Sequence, residues 1–468
     1  MTAPAQEADA TETAGAAETG LALMHGVPGP GSAETRTVGG HPVVWAEVNG
    51  QTASGFHGVP LASSTSKVIE AAAEAAREAR IPLVVSMAST GADITEGFPA
   101  LHAWGRLAKS LASCSGVVPT LVIVDGPAVS GPALLIGLAD LVVMTERSYA
   151  FVGGPVMVEQ FTGIAIGTDE LGGARSHART TGVASMVVPD VEAARAAIEE
   201  LLAYLPPNTD TEPERWAVTD PVDRLCPEAG EMIPASSTGG YDVRAVIAAI
   251  VDDGSMLEVR AQWATNAVTA FATVGGQPIG VVANQPISLA GTLDIPASQK
   301  AARFVTFCDA FNLPIVTLVD TPGFYPGKDL EWRGMIRHGA QLVFAYAQAT
   351  VPRICVILRK SYGGAYIVMD SKAMGNDICL AWPWAELAVM GGGQAAAILR
   401  RRATPEERAE YEAEYAERLL NPYIAAERGF VDAVIEPGET RREVAAALEM
   451  LSDKREPLVA RKHANTPL

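Results

Sequence analysis

Leu313-Pro314-Ile315-Val316-Thr317-Leu318-Val319 runs straight into Asp320-Thr321-Pro322-Gly323. An apolar, β-branched run closed by a proline–glycine turn reads as a strand buried on both faces, the kind found in parallel sheets. The run has an earlier counterpart, Ile81-Pro82-Leu83-Val84-Val85, which leads into Ser89-Thr90-Gly91-Ala92. A helical stretch follows each, from Phe98 to Ser113 and from Trp332 to Ala347. Second buried strands come next: Val118-Pro119-Thr120-Leu121-Val122-Ile123-Val124 and Val351-Pro352-Arg353-Ile354-Cys355-Val356-Ile357. Each enters a small-residue turn that opens a helix, Ser130-Gly131-Pro132-Ala133 in one case and Gly363-Gly364-Ala365-Tyr366 in the other. Pro82 and Pro314 are 232 positions apart (314 − 82). Pro119 and Pro352 are 233 apart (352 − 119), as are Gly131 and Gly364 (364 − 131). Strand–glycine–helix grammar recurs throughout α/β proteins. A register held to one residue across strand, helix, strand and turn goes further and predicts a duplicated α/β domain.

The length of 468 residues exceeds what one hydrophobic core holds. Pro206, Pro207, Pro213, Pro221, Pro227 and Pro234, followed by Ser236-Ser237-Thr238-Gly239-Gly240, break helices and strands alike. The expected division is a first domain over 39–205, a linker over 206–240 and a second domain over 241–468. Residues 1–38 hold five acids and one base among Ala, Thr and Gly, and are expected to be a disordered tail rather than a signal peptide. Thr404-Pro405-Glu406-Glu407 is a capping box with proline at the first helical position, heading a helix to about Leu420.

The net charge of −19 argues against binding nucleic acid or an anionic membrane, both of which need a basic footprint. Cys114, Cys226, Cys308, Cys355 and Cys379 form no C-x-x-C pair, so neither a zinc ribbon nor a redox motif is read, and no metal is expected. Their apolar surroundings predict buried, reduced thiols in a cytoplasmic protein. No apolar run is long enough to suggest a transmembrane span.

The two strand-to-helix turns are where chemistry is expected. A glycine turn opening a helix presents free backbone N–H groups, and the helix dipole adds positive potential. Such a place stabilises an anion, including an enolate-like oxygen. A duplicated fold offers two such holes, which suits a reaction whose donor and acceptor both pass through enolate-like states. Taken singly, each glycine pair is also what any tight turn would carry. His177 and His338 lie among small and apolar residues and read as packing histidines. Arg359 and Lys360 follow a strand and could attract an anion or form structural ion pairs.

The second half closely resembles the carboxyltransferase β-subunits of propionyl-CoA and acetyl-CoA carboxylases. The resemblance is carried by Tyr241-Asp242-Val243-Arg244, Gly280-Val281-Val282-Ala283-Asn284-Gln285-Pro286, Lys300-Ala301-Ala302-Arg303-Phe304-Val305 and Phe307-Cys308-Asp309-Ala310-Phe311-Asn312. It continues through Asp320-Thr321-Pro322-Gly323-Phe324-Tyr325-Pro326-Gly327, Arg359-Lys360-Ser361-Tyr362-Gly363-Gly364-Ala365-Tyr366, Ala381-Trp382-Pro383 and Asn421-Pro422-Tyr423-Ile424.

The resemblance implies an α/β chain of two tandem crotonase-like domains, of the ClpP/crotonase superfamily. It also implies a homohexamer, a dimer of trimers, with active sites between the N-domain of one subunit and the C-domain of another. On this reading the amides of Gly364 and Ala365 hold the biotin carbonyl, with Pro322, Gly323, Phe324, Tyr362 and Gly363 around the biotin. Ser130 and Gly131 stand where the family holds the acyl thioester carbonyl with paired glycines, and Gly91, Ala92, Tyr366 and Ile367 lie on the acyl side. Carboxybiotin loses CO2 and its ureido nitrogen takes the α-proton, so no protein base is required. The implied activity is carboxyl transfer to an acyl-CoA or acyl-carrier-protein thioester, as in fatty-acid or polyketide precursor supply.

No Met-Lys dipeptide and no glycine-rich ATP site is seen, which leaves biotin to a partner carrier and its carboxylation to a biotin carboxylase subunit. The first half departs from the family at Thr90, where a glycine is usual, and at Asp93, where an arginine is usual. Two alternatives therefore stand beside the carboxylase: a biotin-dependent decarboxylase component acting on malonyl-type thioesters, and a non-catalytic scaffold paralogue.

Overall fold

The computed structural model describes residues 31–52, 55–454 and 456–467, so most of the expected tail, residues 1–30, lies outside the described residues. The chain divides into two compact units, the first ending at Glu212 and the second beginning at Pro213.

In the first unit β1 (Gly31–Val38) and β2 (His41–Val48) form an antiparallel hairpin. There follow β3 (Val59–Leu61), α1 (Ser63–Ala79), β4 (Leu83–Ala92), α2 (Phe98–Ala112), β5 (Thr120–Val129), α3 (Gly131–Ile136), β6 (Leu141–Thr145), β7 (Tyr149–Phe151), β8 (Met186–Val188) and α4 (Val191–Leu202). The sheet order is β1-β2-β4-β5-β6-β8, with β3 beside β4 and β7 beside β5, and every pairing after the hairpin is parallel. Parallel strands need crossovers, which cover the sheet faces. Helix α1 turns Ala72, Ala73, Ala75 and Ala76 inward with Val68 and Ile69. Small side chains let it lie close to the sheet.

The second unit repeats the plan. It contains α5 (Val243–Ile250), β9 (Leu257–Glu258), β10 (Ala267–Val274), β11 (Gln277–Asn284), α6 (Ile295–Ala310), β12 (Ile315–Thr321), α7 (Met335–Gln348), β13 (Arg353–Tyr362), α8 (Gly363–Val368), β14 (Ile378–Ala381), β15 (Glu386–Ala388), α9 (Gly392–Leu399), α10 (Pro405–Leu419), β16 (Ala433–Val434) and α11 (Thr440–Met450). The sheet order is β9-β10-β11-β12-β13-β14-β16, with β15 beside β13. The expected capping box heads α10: Thr404 Oγ1 accepts from the Glu407 amide, and Glu407 Oε2 from the Thr404 amide.

The duplication holds at the level of single residue pairs. Leu83 is opposite Thr120 and Ile315 is opposite Arg353, the same pair shifted by 232 and 233. Both pairings slip at the same place, between Met87 and Ser89 and between Val319 and Thr321. In both units an aspartate caps the start of the central strand: Asp140 Oδ2 accepts from the Thr120 amide at 3.0 Å and Asp377 Oδ2 from the Arg353 amide at 2.8 Å. At the slip the two units differ. In the second unit the Lys360 amide donates to Asp320 Oδ1 at 3.1 Å. In the first unit the equivalent residue is Pro127, which has no N–H, and Ala88 stands where Asp320 would be. A register slip strands one amide; one unit supplies a carboxylate for it and the other dispenses with the amide.

Two expectations are corrected. Residues 31–38 are an edge strand rather than part of a tail, because they zip onto β2 in full register and Arg36 stacks over the Trp45 ring. The polar, small-residue composition that reads as disorder is that of a strand with one buried side chain, Ala33. The segment from Pro213 to Gly240 lacks long elements but is no free linker. Cys226 is fully buried, the Trp216 amide donates to Gly276 O at 2.8 Å, and Arg224 grips Asp220 and the carbonyls of Ala249 and Val251. Arg441, with no exposed surface, bridges Pro221 O, Ile250 O and Asp252. The non-local partners of this segment are invisible in its own composition.

All five cysteines are buried, as their apolar settings predict. Among the described residues no helix is long and apolar enough to cross a membrane.

Where β11 crosses α6, a Cβ built on Gly280 would stand 2.4 Å from Cys308 Sγ and 3.2 Å from Phe304. Gly280→Ala is expected to destabilise the second unit by about 1–3 kcal/mol, as overpacked cores do. Pairing it with Cys308→Ala, which removes the sulfur, is expected to recover most of the melting temperature. Equal loss in the single and double variants would show that the contact is not what limits packing there.

Candidate active site

In the second unit β13 runs out at Tyr362 and α8 begins at Gly363. Gly363 has φ +61°, and a Cβ there would lie 3.1 Å from Val389 O, so both conformation and space call for glycine. The Gly364 and Ala365 amides fall in the first turn of the helix, where no i − 4 carbonyl exists inside the helix. Neither donates to a loop, cap or side-chain acceptor among the described residues. Phe324 forms the neighbouring wall, with its ring 3.7 Å from a Cβ placed on Gly364. Phe324 is held by the loop Thr321–Phe324: Leu293 N donates to Gly323 O at 3.1 Å and Gly323 has φ +144°. Pro322, Gly323, Phe324, Tyr362, Gly363, Gly364 and Ala365 thus lie on the two neighbouring loops that leave β12 and β13.

A cavity of about 570 Å³ opens beside this turn. Gly363, Gly364, Tyr366 and Ile367 line one side, with Tyr415 and Arg428 across from them. Ile367 is 39% exposed, so it is a wall residue and not part of the core. The hydroxyl of Tyr362 bonds to Glu386, and burial together with that carboxylate pushes its ionisation far up. Tyr362 is therefore a neutral anchor.

Sequence reasoning missed what supports the turn. Asp320, 1% exposed at its side chain, accepts from Arg359 Nε at 2.9 Å and from the Tyr241 hydroxyl at 2.9 Å, besides the Lys360 amide. Arg359 also donates to Ser236 O and lies 5.0 Å from the centre of the Tyr241 ring. Of the two readings of Arg359, the structural ion pair is the one observed. The Lys360 amine is half-buried, and burial lowers its pKa. A Tyr and an Arg far apart in sequence gave no pattern from which their shared carboxylate could be read.

In the first unit the matching turn joins β5 to α3. Ser130 has φ +63° and ψ −122°, within 2° of the φ of Gly363, its counterpart 233 positions on. Its amide donates to Phe151 O at 2.9 Å. Gly131 follows, packed so closely against Trp104 that a Cβ would lie 2.7 Å from the indole nitrogen. Gly91, at φ +113°, faces the same turn: a Cβ there would stand 3.9 Å from the Ser130 Cβ. Ala92 ends the same strand. The unusual Asp93 closes a local turn, accepting from Thr95 Oγ1, the Thr95 amide and the Glu96 amide. The Thr95 hydroxyl is the main reason its carboxyl titrates below the usual range. Glu96 caps α1 through the Ser63 amide. The histidines are structural: His177 bonds Ala150 O and Thr181 Oγ1 at 2.8 Å, and His338 Nδ1 bonds Gln299 and Gln341.

Each unit thus carries a strand-to-helix elbow at the same register position, opening a short helix. A carboxyl transferase domain model matches residues 44–466.

The chain belongs to the carboxyl transferase family.

It is 47% identical over 406 residues to the propionyl-CoA carboxylase beta chain of Saccharopolyspora erythraea, covering 83% of this chain and 74% of that one. It is 43% identical over 450 residues to the methylmalonyl-CoA carboxyltransferase 12S subunit of Propionibacterium freudenreichii subsp. shermanii, covering 94% and 84%. The transcarboxylase 12S crystal structure, described as a hexamer assembly with hydrolysed methylmalonyl-coenzyme A bound, superposes with a TM-score of 0.90 at 41% identity, covering 94% of this chain and 85% of that one. The fold is accordingly the tandem crotonase-like α/β arrangement, and the chain is a carboxyltransferase.

If the α8 turn is a carboxyltransferase oxyanion hole, Gly364→Val places a branched side chain against Phe324 and over the amides. Turnover with free biotin is expected to fall by about 10²–10³, the usual effect of losing one oxyanion donor. The melting temperature should change little, since Gly364 is exposed. Unchanged biotin-dependent turnover would remove Gly364 from the site.

Proposed function

We propose that this chain is the carboxyltransferase subunit of a biotin-dependent acyl-CoA carboxylase, with biotin carried on a partner protein and charged by a biotin carboxylase subunit. The observation that carries the reading is the repeated elbow, one per unit in one register, joined to family membership. The second unit fits a ureido carbonyl: two outward amides in one turn, a glycine where a Cβ would meet Val389 O, and the flat Phe324 ring alongside. Carboxybiotin, when bound, supplies CO2 and a ureido nitrogen that accepts the α-proton of the acyl thioester. Gly364 and Ala365 then stabilise negative charge on the ureido oxygen as the carboxyl group leaves. The first unit stabilises the thioester oxygen while its α-carbon is an enolate, and the new C–C bond forms to CO2. Electrostatic stabilisation of this kind needs no protein base.

The cavity wall supports a preference among acyl acceptors. Ile367, on its wall, cannot hydrogen-bond and favours hydrocarbon, each buried methylene contributing about 0.8 kcal/mol or roughly fourfold in affinity. We infer a cytoplasmic location, a reducing compartment that buried thiols suit. It is proposed to assemble as a homohexamer. Helix Pro155–Thr162 buries none of its residues and shows Val156 at 69%, Met157 at 56% and Phe161 at 85% exposure. Trp332 at 77% and Ile336 at 83% are equally bare in the second unit. Apolar faces of this kind mark interfaces.

The test is fixation of radiolabelled bicarbonate with purified partner subunits and a panel of acyl-CoA and acyl-carrier-protein acceptors. Label in a malonyl-type product supports the reading. Biotin-dependent release of CO2 from malonyl thioesters without fixation would favour a decarboxylase component, and neither activity would favour a scaffold. Ile367→Asp is expected to reorder kcat/KM among acetyl, propionyl and butyryl acceptors with little change in melting temperature. Parallel loss on all three would place specificity elsewhere. Light scattering at micromolar concentration should return a hexameric mass, and a monomer would leave these apolar faces without an explanation.

A further inference from the structure

The first-unit elbow is short of donors. At the 233-residue offset that relates the two units, Gly131 corresponds to Gly364 and Pro132 to Ala365. Pro132 has no N–H, so the second amide of the hole does not exist. The amide one residue earlier, that of Ser130, is taken by Phe151 O at 2.9 Å. One backbone donor, Gly131 N–H, is left, against two in the second unit. A thioester enolate held by one hydrogen bond would be poorly stabilised, because removing a single donor costs about 10²–10³ in rate in well-studied holes.

The same elbow carries a side chain where its counterpart has none. Ser130 occupies φ +63°, ψ −122°, a region costly for any residue with a Cβ, and Gly363 at φ +61° is the residue that suits it. The serine side chain is exposed, and its hydroxyl makes no hydrogen bond among the described residues. It stands beside Gly91, which has no side chain to cover it. The Trp104 ring packs against Gly131, where a Cβ would lie 2.7 Å from the indole nitrogen.

We propose that the Ser130 hydroxyl is the second oxyanion donor of the acceptor hole, replacing the backbone amide that Pro132 removes. This rests on the carboxyltransferase reading and deepens it, since it names the group that acts on the acyl thioester. No bond to serine forms. The hydroxyl keeps its proton and donates a hydrogen bond to the thioester oxygen as charge develops there, while Gly131 N–H donates the other. Ser130 is a catalytic residue through its side chain and not through its amide.

The test compares the full-length wild type with Ser130→Gly and Ser130→Ala in the presence of partner subunits. Ser130→Gly relieves the backbone and should melt at or above the wild type. Its kcat for carboxyl transfer should fall about 10- to 100-fold, with KM for the acyl thioester moving less than about threefold, as expected when an interaction made mainly in the transition state is lost. Ser130→Ala should lose kcat to the same extent without the gain in melting temperature. A second measurement is independent of turnover: an acyl-CoA analogue with a nitronate in place of the thioester enolate should bind wild type about tenfold or more tighter than either variant. Full kcat in Ser130→Gly, or equal nitronate affinity in all three proteins, overturns the hydroxyl as donor. Failure of the wild type to carboxylate any acyl thioester, with nitronate binding still lost in the variants, sinks the proposed reaction and leaves the donor assignment standing.

Discussion

The carboxylate of Asp320 holds the second elbow in place. At the slip between β12 and β13 the ladder loses its regular partner, and the Lys360 amide would be buried with no acceptor. Asp320 takes that amide, the Arg359 guanidinium and the Tyr241 hydroxyl. A buried carboxylate is tolerable only when such donors surround it. Removing either ionic partner leaves an uncompensated buried charge, at a cost of about 3–5 kcal/mol. Three residues beyond Lys360 the chain must turn through φ +61° and open α8. The position of the outward amides is therefore set by the arrangement at Asp320.

The first unit reaches a matching elbow without charges at the three corresponding positions. Ala88 and Gly126-Pro127 take the places of Asp320 and Arg359-Lys360, and proline removes the amide that needed an acceptor. The duplicated units thus share a constraint, a register slip feeding a tight elbow, and meet it with different chemistry. That difference shows why sheet order and strand register can persist while side chains diverge: the fold specifies how many backbone groups are stranded, not which residues satisfy them.

The same distinction explains how much was legible in the sequence. Buried parallel strands announce themselves through runs such as Ile315–Val319, and the 232 and 233 spacings place strand, helix, strand and turn correctly in both halves. Gly363 and Gly364 are readable because a positive φ and an outward amide leave glycine as the natural choice. Partnerships across long separations leave no such mark. Arg359 could be read as a ligand for an anion until Asp320 and Tyr241 were found on it. Residues 206–240 read as a linker because groups that fix the later part, Gly276 and Arg441, lie far along the chain. Residues 31–38 read as tail because an edge strand buries so little. In the first elbow the pattern Ser130-Gly131-Pro132 pointed to the right turn, but only the bond from the Ser130 amide to Phe151 O shows which donors remain free.

The two holes also differ in what they can discriminate. Backbone amides are fixed in direction, so the Gly364–Ala365 pair suits a rigid ring carbonyl presented in one orientation by a carrier. A hydroxyl rotates about its Cα–Cβ and Cβ–O bonds and can follow an oxygen whose position shifts as a thioester becomes an enolate and then a carboxylated product. The loss in rigidity has a cost, since a rotor must be ordered when it donates, of the order of 0.5–1.5 kcal/mol for a side chain immobilised at a binding site. The tight elbow fixes the Cβ of Ser130, so only its two side-chain torsions remain to be ordered. A strained serine on a short elbow is in this sense closer to a fixed amide than a serine on a flexible loop would be. On the proposed role of Ser130, this gives a reason for a side chain at a position where the duplicated copy carries glycine.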